Sequence, residues 1–288
     1  MSLISIVKSV PARDGAGVNI NRMAGEQLHH LLDPFLMIDE IRSDNQADYM
    51  AGFPAHPHRG FETITYLISG RMTHRDHLGN EKTMSDGGVQ WMTTGRGILH
   101  SEMPEPTDKS FHGFQIWLNL PSELKMTDPE YHDLGHEQIV HASLDVGSIR
   151  VITGGVNVNG DHYEAPAVNE SRTRPVIADL HLLPHEQVTL DPERGQTFVY
   201  VYEGSVYEGS VYEKSITEKA EQKLSPSELG VFSPGAARLT AGDKGLRALI
   251  LGGDPLKEPV FQYGPFVMNT QDQIEQAVRD YQSGQLTA

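Results

Sequence analysis

Gly52-Phe-Pro-Ala-His56-Pro-His58-Arg-Gly-Phe-Glu62 and Gly95-Arg-Gly-Ile-Leu-His100-Ser-Glu102 follow one pattern: a histidine, one spacer, a second metal-capable side chain, and glycines alongside. In an extended strand alternate side chains point the same way, so His56 and His58 share a face, as do His100 and Glu102. If the two segments are antiparallel neighbours in a small β-barrel, four ligands converge from two strands. Three imidazoles and one carboxylate form a borderline-to-hard donor set suited to Fe(II), and also to Mn, Co, Ni, Cu or Zn. Such a set leaves coordination positions open, as a catalytic centre requires and a closed structural one does not.

The segments around these motifs are strand-like. Thr63-Ile-Thr-Tyr-Leu-Ile68, Phe114-Gln-Ile-Trp-Leu118, Ile149-Arg-Val-Ile152, Phe198-Val-Tyr-Val-Tyr202 and Leu246-Arg-Ala-Leu-Ile-Leu251 are short β-branched and aromatic runs separated by turn residues. That rhythm predicts an all-β chain of sandwich or barrel type. A helix is expected only near the end, where Thr270-Gln-Asp-Gln273 has the form of a capping box and Ile274, Ala277, Val278 and Tyr281 fall on one face. Its apolar face needs a cover, so the tail is expected to return to a barrel.

The 288 residues carry 23 Lys plus Arg against 39 Asp plus Glu, a formal charge of −16, which disfavours direct binding of nucleic acid through phosphate neutralisation. The absence of cysteine excludes disulfide scaffolds, thiolate catalysis and Cys-ligated metals. No stretch approaches the length of an apolar membrane-spanning helix, and the first residues lack a signal-peptide pattern, so a cytoplasmic protein is expected, or a nuclear one if the source is eukaryotic.

Polar residues 122–146 mark a boundary between two halves that look alike. Tyr66-Leu-Ile-Ser-Gly70 in the first corresponds to Tyr200-Val-Tyr-Glu-Gly204 in the second. Counted back from those glycines, His56, His58 and Glu62 fall opposite Leu190, Pro192 and Gln196, so only the first half keeps polar side chains at the site positions. The expected domains are residues 1–134, metal-binding; 135–252, metal-free; and 253–288, a tail and helix packing on the first. Val201-Tyr-Glu-Gly-Ser205 repeats at once as Val206-Tyr-Glu-Gly-Ser210, with a third start at Val211. An odd-length insertion reverses the faces of a continuous strand, so a bulge, a turn or a longer hairpin must absorb it.

The double motif resembles that of the cupins, and the wording is closest to the pirin branch. Gly52–Glu62, Gln90-Trp-Met-Thr-Thr-Gly-Arg-Gly-Ile-Leu-His-Ser-Glu102, Phe114-Gln-Ile-Trp-Leu-Asn-Leu-Pro121 and Glu258-Pro-Val-Phe-Gln-Tyr-Gly-Pro-Phe-Val-Met-Asn-Thr270 are all pirin-like, whereas residues 155–250 match weakly. The resemblance implies a bicupin: two jelly-roll-like β-barrels face to face, with one mononuclear divalent metal, Fe(II), in the N-terminal barrel. It carries the ligand roles onto His56, His58, His100 and Glu102. In many cupins the glutamate four residues after the second histidine is a ligand, here Glu62. The pirin pattern gives that role to Glu102 and leaves Glu62 beside the ligands.

The resemblance also implies a flavonol (quercetin) 2,3-dioxygenase, its substrate an aromatic flavonol whose 3-hydroxyl meets the metal, its co-substrate O2, and Glu102 its general base. The competing expectation is a metal- and redox-dependent regulator that binds a transcription factor or a metabolic enzyme; a third is a cupin isomerase that uses the metal as a Lewis acid. The chain is expected to work as a monomer. Arg59, Phe53, Met92 and His112 are expected near the site or its pocket. His74 and His77 are assigned to a solvated hairpin, and Trp91 and Trp117 to the core.

Overall fold

A computed structural model describes residues 2–165, 173–208 and 223–288. The described chain is built mainly of strands, with two α-helices, Glu26–Leu32 and Gln271–Gln282. It divides into two compact units, residues 10–137 with 256–288, and residues 1–9 with 138–255.

In the first unit a seven-stranded antiparallel sheet runs in the order Glu130–Leu134, Val89–Thr93, Phe61–Ser69, Phe111–Asn119, Phe35–Ser43, Val18–Ala24, Val10–Asp14. A four-stranded sheet runs Phe53–His58, Ile98–Pro104, Met72–Asp76, Glu81–Met84. Ile41, Leu67 and Phe111 of the larger sheet pack with Met72 and Met84 of the smaller, so apolar side chains from both inner faces make the core, as in a jelly roll. Strand Phe61–Ser69 is buried on both faces over its first seven residues, which accounts for its nearly unbroken β-branched and aromatic run.

The tail belongs to this unit. Thr270 and Gln273 form the reciprocal capping box, and Ile274 and Ala277 are buried against Phe266, Met268 and Leu286. Tyr281, expected on the covered face, is 44% exposed and touches Phe266 only at a ring separation of 6.3 Å. Two ties hold the tail to the turn after His58. Arg59, nearly buried, donates to Asp280 at 2.7 Å. Lys125, also buried, donates from Nζ to Asn119 Oδ1, the Gly60 carbonyl and the Val267 carbonyl at 2.6, 2.7 and 3.1 Å.

Burial pushes the Lys125 ammonium down from 10.5 to about 7. Between these values the unfolded chain holds a proton that the folded chain has released, so Lys125 makes stability rise with pH across that window, by up to about 1.4 kcal/mol per pH unit. Lys125→Met is expected to flatten the rise and to leave the Gly60 and Val267 carbonyls short of a donor, at a cost of about 2–4 kcal/mol near neutrality. Urea midpoints of both proteins from pH 7 to 10 measure both effects, and parallel curves would refute the linkage.

Among the described residues of the second unit, an eleven-stranded sheet curls around an aliphatic core that includes Val151, Val176, Leu180, Val199, Leu239 and Ile250. The sequence boundaries place residues 1–9 with the metal-binding half, but strand Leu3–Lys8 pairs antiparallel with Glu228–Phe232 and buries Leu3 in this core. An amphipathic strand carries no local record of which sheet it will complete, so the chain leaves one unit after a single strand and builds the other. The duplicated segment lies partly in strand Gln196–Glu208, whose pairing with Ala237–Gly253 shifts register between Val201 and Glu203 and again between Gly204 and Val206. The extra residue at the first shift offsets the odd repeat, and Val201 and Val206 both stay in the core. The remainder, from Gly209 through Val211-Tyr-Glu213, lies outside the described residues.

Candidate metal centre

Phe53–His58 and Ile98–Pro104 are antiparallel neighbours, with His100 opposite His56, Ile98 opposite His58 and Glu102 opposite Phe53. The turns that follow and precede them depend on glycine. Gly60 has φ +93°, and a Cβ there would fall 2.1 Å from the Val267 carbonyl oxygen. Gly97 has φ +155°, with its hypothetical Cβ 2.2 Å from the Leu286 carbonyl oxygen. Both glycines let the tail lie directly against the motif strands.

His56, His58 and His100 present one ring nitrogen each, all within 4.8 Å of one another. The ring centroids are 4.3 Å apart for His56 and His100, 4.7 Å for His56 and His58, and 5.0 Å for His58 and His100. Among the described residues this is the only such group of three. His56 Nδ1 lies 2.8 Å from the Pro54 carbonyl, and His58 Nδ1 lies 3.4 Å from the Pro265 carbonyl. A carbonyl can only accept, so both Nδ1 atoms carry the proton and both Nε2 lone pairs are free to ligate. Both nitrogens of His100 are buried without a hydrogen-bond partner. Burial holds all three rings below the usual imidazole range, His58 and His100 well below it, so they are neutral near pH 7. Three neutral lone-pair donors converging around an unsatisfied buried ring fit a divalent cation.

Glu102 is buried, and its carboxyl is pushed up to about 7 by that burial, against the pull of a 2.9 Å hydrogen bond from Thr65 Oγ1 to Oε1. It stands outside the tight histidine trio but lines the same cavity as His56 and His58, where a dication would favour its charged form. The cavity encloses about 880 Å³. Phe53, Ile20, Met37, Met72, Phe111 and Trp117 contribute to its apolar wall, and Gln262, Gly264 and Pro265 of the tail also line it.

Several other expected site residues lie elsewhere. Glu62 is buried but accepts from Thr93 Oγ1 at 2.8 Å and does not line the cavity. Its parity with His56 and His58 does not carry through, because the bend at Arg59–Gly60 ends one strand before Phe61 starts the next. His112 points away from the cavity, with Nε2 2.9 Å from Glu40 Oε1, while its strand neighbours Phe111 and Gly113 line it. Arg59 is committed to the Arg96 carbonyl and Asp280. Phe53 is in the wall; Met92 is buried opposite Thr63 and Tyr131 but is not in it.

Trp117 packs in the core with Phe61 and Val267, as expected, and also forms cavity wall, its ring 5.3 Å from that of His58. His74 is the larger surprise. Instead of lying on a solvated hairpin it is 2% exposed, opposite Glu102 in register and 5.4 Å ring to ring from His100. Its Nε2 donates to Asp76 Oδ2 at 3.1 Å, and Tyr131 stacks on it at 4.4 Å. The signal was present: His74-x-Asp76 has the same alternation as His100-x-Glu102.

Two family models match the chain, one described as Pirin over residues 17–118 and one as Pirin C-terminal cupin domain over residues 177–287. A Pseudomonas aeruginosa protein named "Putative quercetin 2,3-dioxygenase" is 42% identical over 277 residues, covering 96% of this chain and 94% of its own length. The crystal structure of quercetin 2,3-dioxygenase from Acinetobacter baumannii superposes with a TM-score of 0.84 at 30% identity, over 99% of this chain and 98% of that one. A bacterial pirin from Escherichia coli, solved in complex with nickel(II), shares the fold with a TM-score of 0.59 at 20% identity, over 87% and 98% of the two chains.

Proposed function

The chain belongs to the pirin family, and from that premise we propose that it is a metal-dependent dioxygenase acting on flavonols, of the quercetin 2,3-dioxygenase type. The observation that carries this function is a trio of neutral imidazoles, His56, His58 and His100, of which His56 and His58 line, with the buried carboxyl of Glu102, one large, mainly apolar cavity. The names of the similar Pseudomonas protein and Acinetobacter structure support the same chemistry.

His56, His58 and His100, with Glu102 beside them, would hold one divalent ion, proposed to be Fe(II), which when bound acidifies a coordinated hydroxyl and mediates electron flow to O2. The chain's own residues prepare the substrate. Phe53, Trp117 and Phe111 offer flat apolar surface to fused aromatic rings and exclude water around them. Glu102 takes the proton of the flavonol 3-hydroxyl. Thr65 fixes Oε1, which leaves Oε2 to receive that proton.

Metal-stripped protein, reloaded in turn with Fe(II), Mn, Co, Ni, Cu or Zn and mixed with quercetin in air, provides the test. Bleaching of the flavonol with matching O2 uptake is expected, dependent on metal and fastest with Fe(II). Absence of both with every metal and several flavonols would reject the function and leave a regulatory role as the alternative.

A further inference from the structure

The cavity wall is not uniformly apolar. Thr65, Gln115, Asp39 and Arg22 are register partners in sequence across four adjacent strands: Thr65 opposite Gln115, Gln115 opposite Asp39, Asp39 opposite Arg22. All four line the cavity. The inner end touches the metal centre, because Thr65 Oγ1 contacts Glu102 Oε1 at 2.9 Å and Gln115 Oε1 at 2.5 Å. With three strand steps of about 4.8 Å each, the row extends roughly 14 Å from Thr65 to Arg22.

The outer end approaches solvent. Side-chain exposure rises from 6% at Asp39 to 27% at Arg22 and 45% at Asp14. Arg22 Nε donates to Asp39 Oδ1 and Oδ2 at 2.9 and 3.1 Å, and Nη2 donates to Oδ2 at 2.5 Å and also to Asp14. The guanidinium thus holds Asp39 in one orientation within the wall. Two carboxylates share one guanidinium, so the cluster has a formal charge of −1, and a carboxylate offers about four lone-pair sites of which Arg22 uses only part. Such a group accepts hydrogen bonds from neutral hydroxyls and repels anions.

Resting on the dioxygenase function above, we propose that Asp39, oriented by Arg22, is a specificity residue that accepts hydrogen bonds from the hydroxyls of the pendant ring of a flavonol whose 3-hydroxyl lies at Glu102. The site then selects neutral flavonols hydroxylated at the end remote from the metal centre. Flavonols bare at that end bind less well, and those carrying a sulfate or another anion there are excluded.

Quercetin and galangin are the probes, because galangin lacks only the two pendant-ring hydroxyls. Their dissociation constants are measured on metal-free protein by quenching of tryptophan fluorescence, since Trp117 lines the cavity. Wild type is expected to prefer quercetin by about 10- to 100-fold, the scale of hydrogen bonds to a charged group. The double substitution Arg22→Met with Asp39→Leu removes both charges together, so that neither is orphaned, and is expected to bring the ratio close to one. If that protein does not fold, Asp39→Asn provides the readout, with the ratio falling at least about threefold as the charge assistance is lost.

A wild-type ratio near one, or a folded variant that keeps the wild-type ratio, would overturn the assignment of Asp39. Wild type that binds neither flavonol would overturn the subsite, and O2 uptake by metal-loaded protein would then decide the dioxygenase function separately. The predicted ratios without O2 uptake by metal-loaded protein would support the subsite and reject the dioxygenase function alone.

Discussion

His100→Ala is expected to reduce bound metal from about one equivalent per chain to a trace, and to lower flavonol-dependent O2 uptake by about a thousandfold. His100 is the ring whose two buried nitrogens have no hydrogen-bond partner, and a cation held with His56 and His58 would satisfy one of them. A metal supplies several kcal/mol of charge stabilisation, and about 4 kcal/mol corresponds to about a thousandfold in rate. Because alanine also removes a buried ring beside His74, the variant's secondary structure and melting temperature are measured alongside its metal content. A folded variant with full metal and full activity would show that the histidine trio is not the centre.

Glu102→Gln is expected to retain metal through the three histidines yet lose about 10²–10⁴ in kcat, the range for a missing general base. The amide keeps the shape of the side chain and can still accept from Thr65, so packing changes little. The pH profile separates this role from a structural one. A base must be deprotonated to act, so wild-type kcat rises with pH through the pKa of Glu102, at or below about 7 because a bound cation favours the carboxylate. The glutamine variant should have lost that acidic limb. A variant that keeps both the rate and the limb would remove Glu102 from the proton transfer.

Much of the candidate metal centre was legible because it is local in the chain. His56-x-His58 and His100-x-Glu102 encode shared faces through the two-residue period of a strand, and the glycines beside them mark the turns that bring the strands together. Periodicity failed where the backbone bends. Glu62 loses its parity at Gly60, and the hairpin sequence around His74 does not show what covers that ring; here Tyr131, more than fifty residues later, stacks on it.

The polar row was not legible at all. Arg22, Asp39, Gln115 and Thr65 lie on four strands scattered between residues 18 and 119 and meet only through sheet register, which no local pattern specifies. The C-terminal helix was the opposite case: its capping box and apolar face are local, so Thr270, Gln273, Ile274 and Ala277 were readable directly. Strand Leu3–Lys8 shows the limit, since its alternation identifies a strand without identifying the sheet that receives it.

The most direct test is the stoichiometry of O2 consumed to quercetin bleached, measured in one sample of protein stripped of metal and then titrated with Fe(II). Uptake that starts from a metal-free baseline, saturates near one ion per chain and stays at about one O2 per flavonol is the predicted result. Bleaching that proceeds equally in metal-free protein, or without O2 uptake, would contradict it.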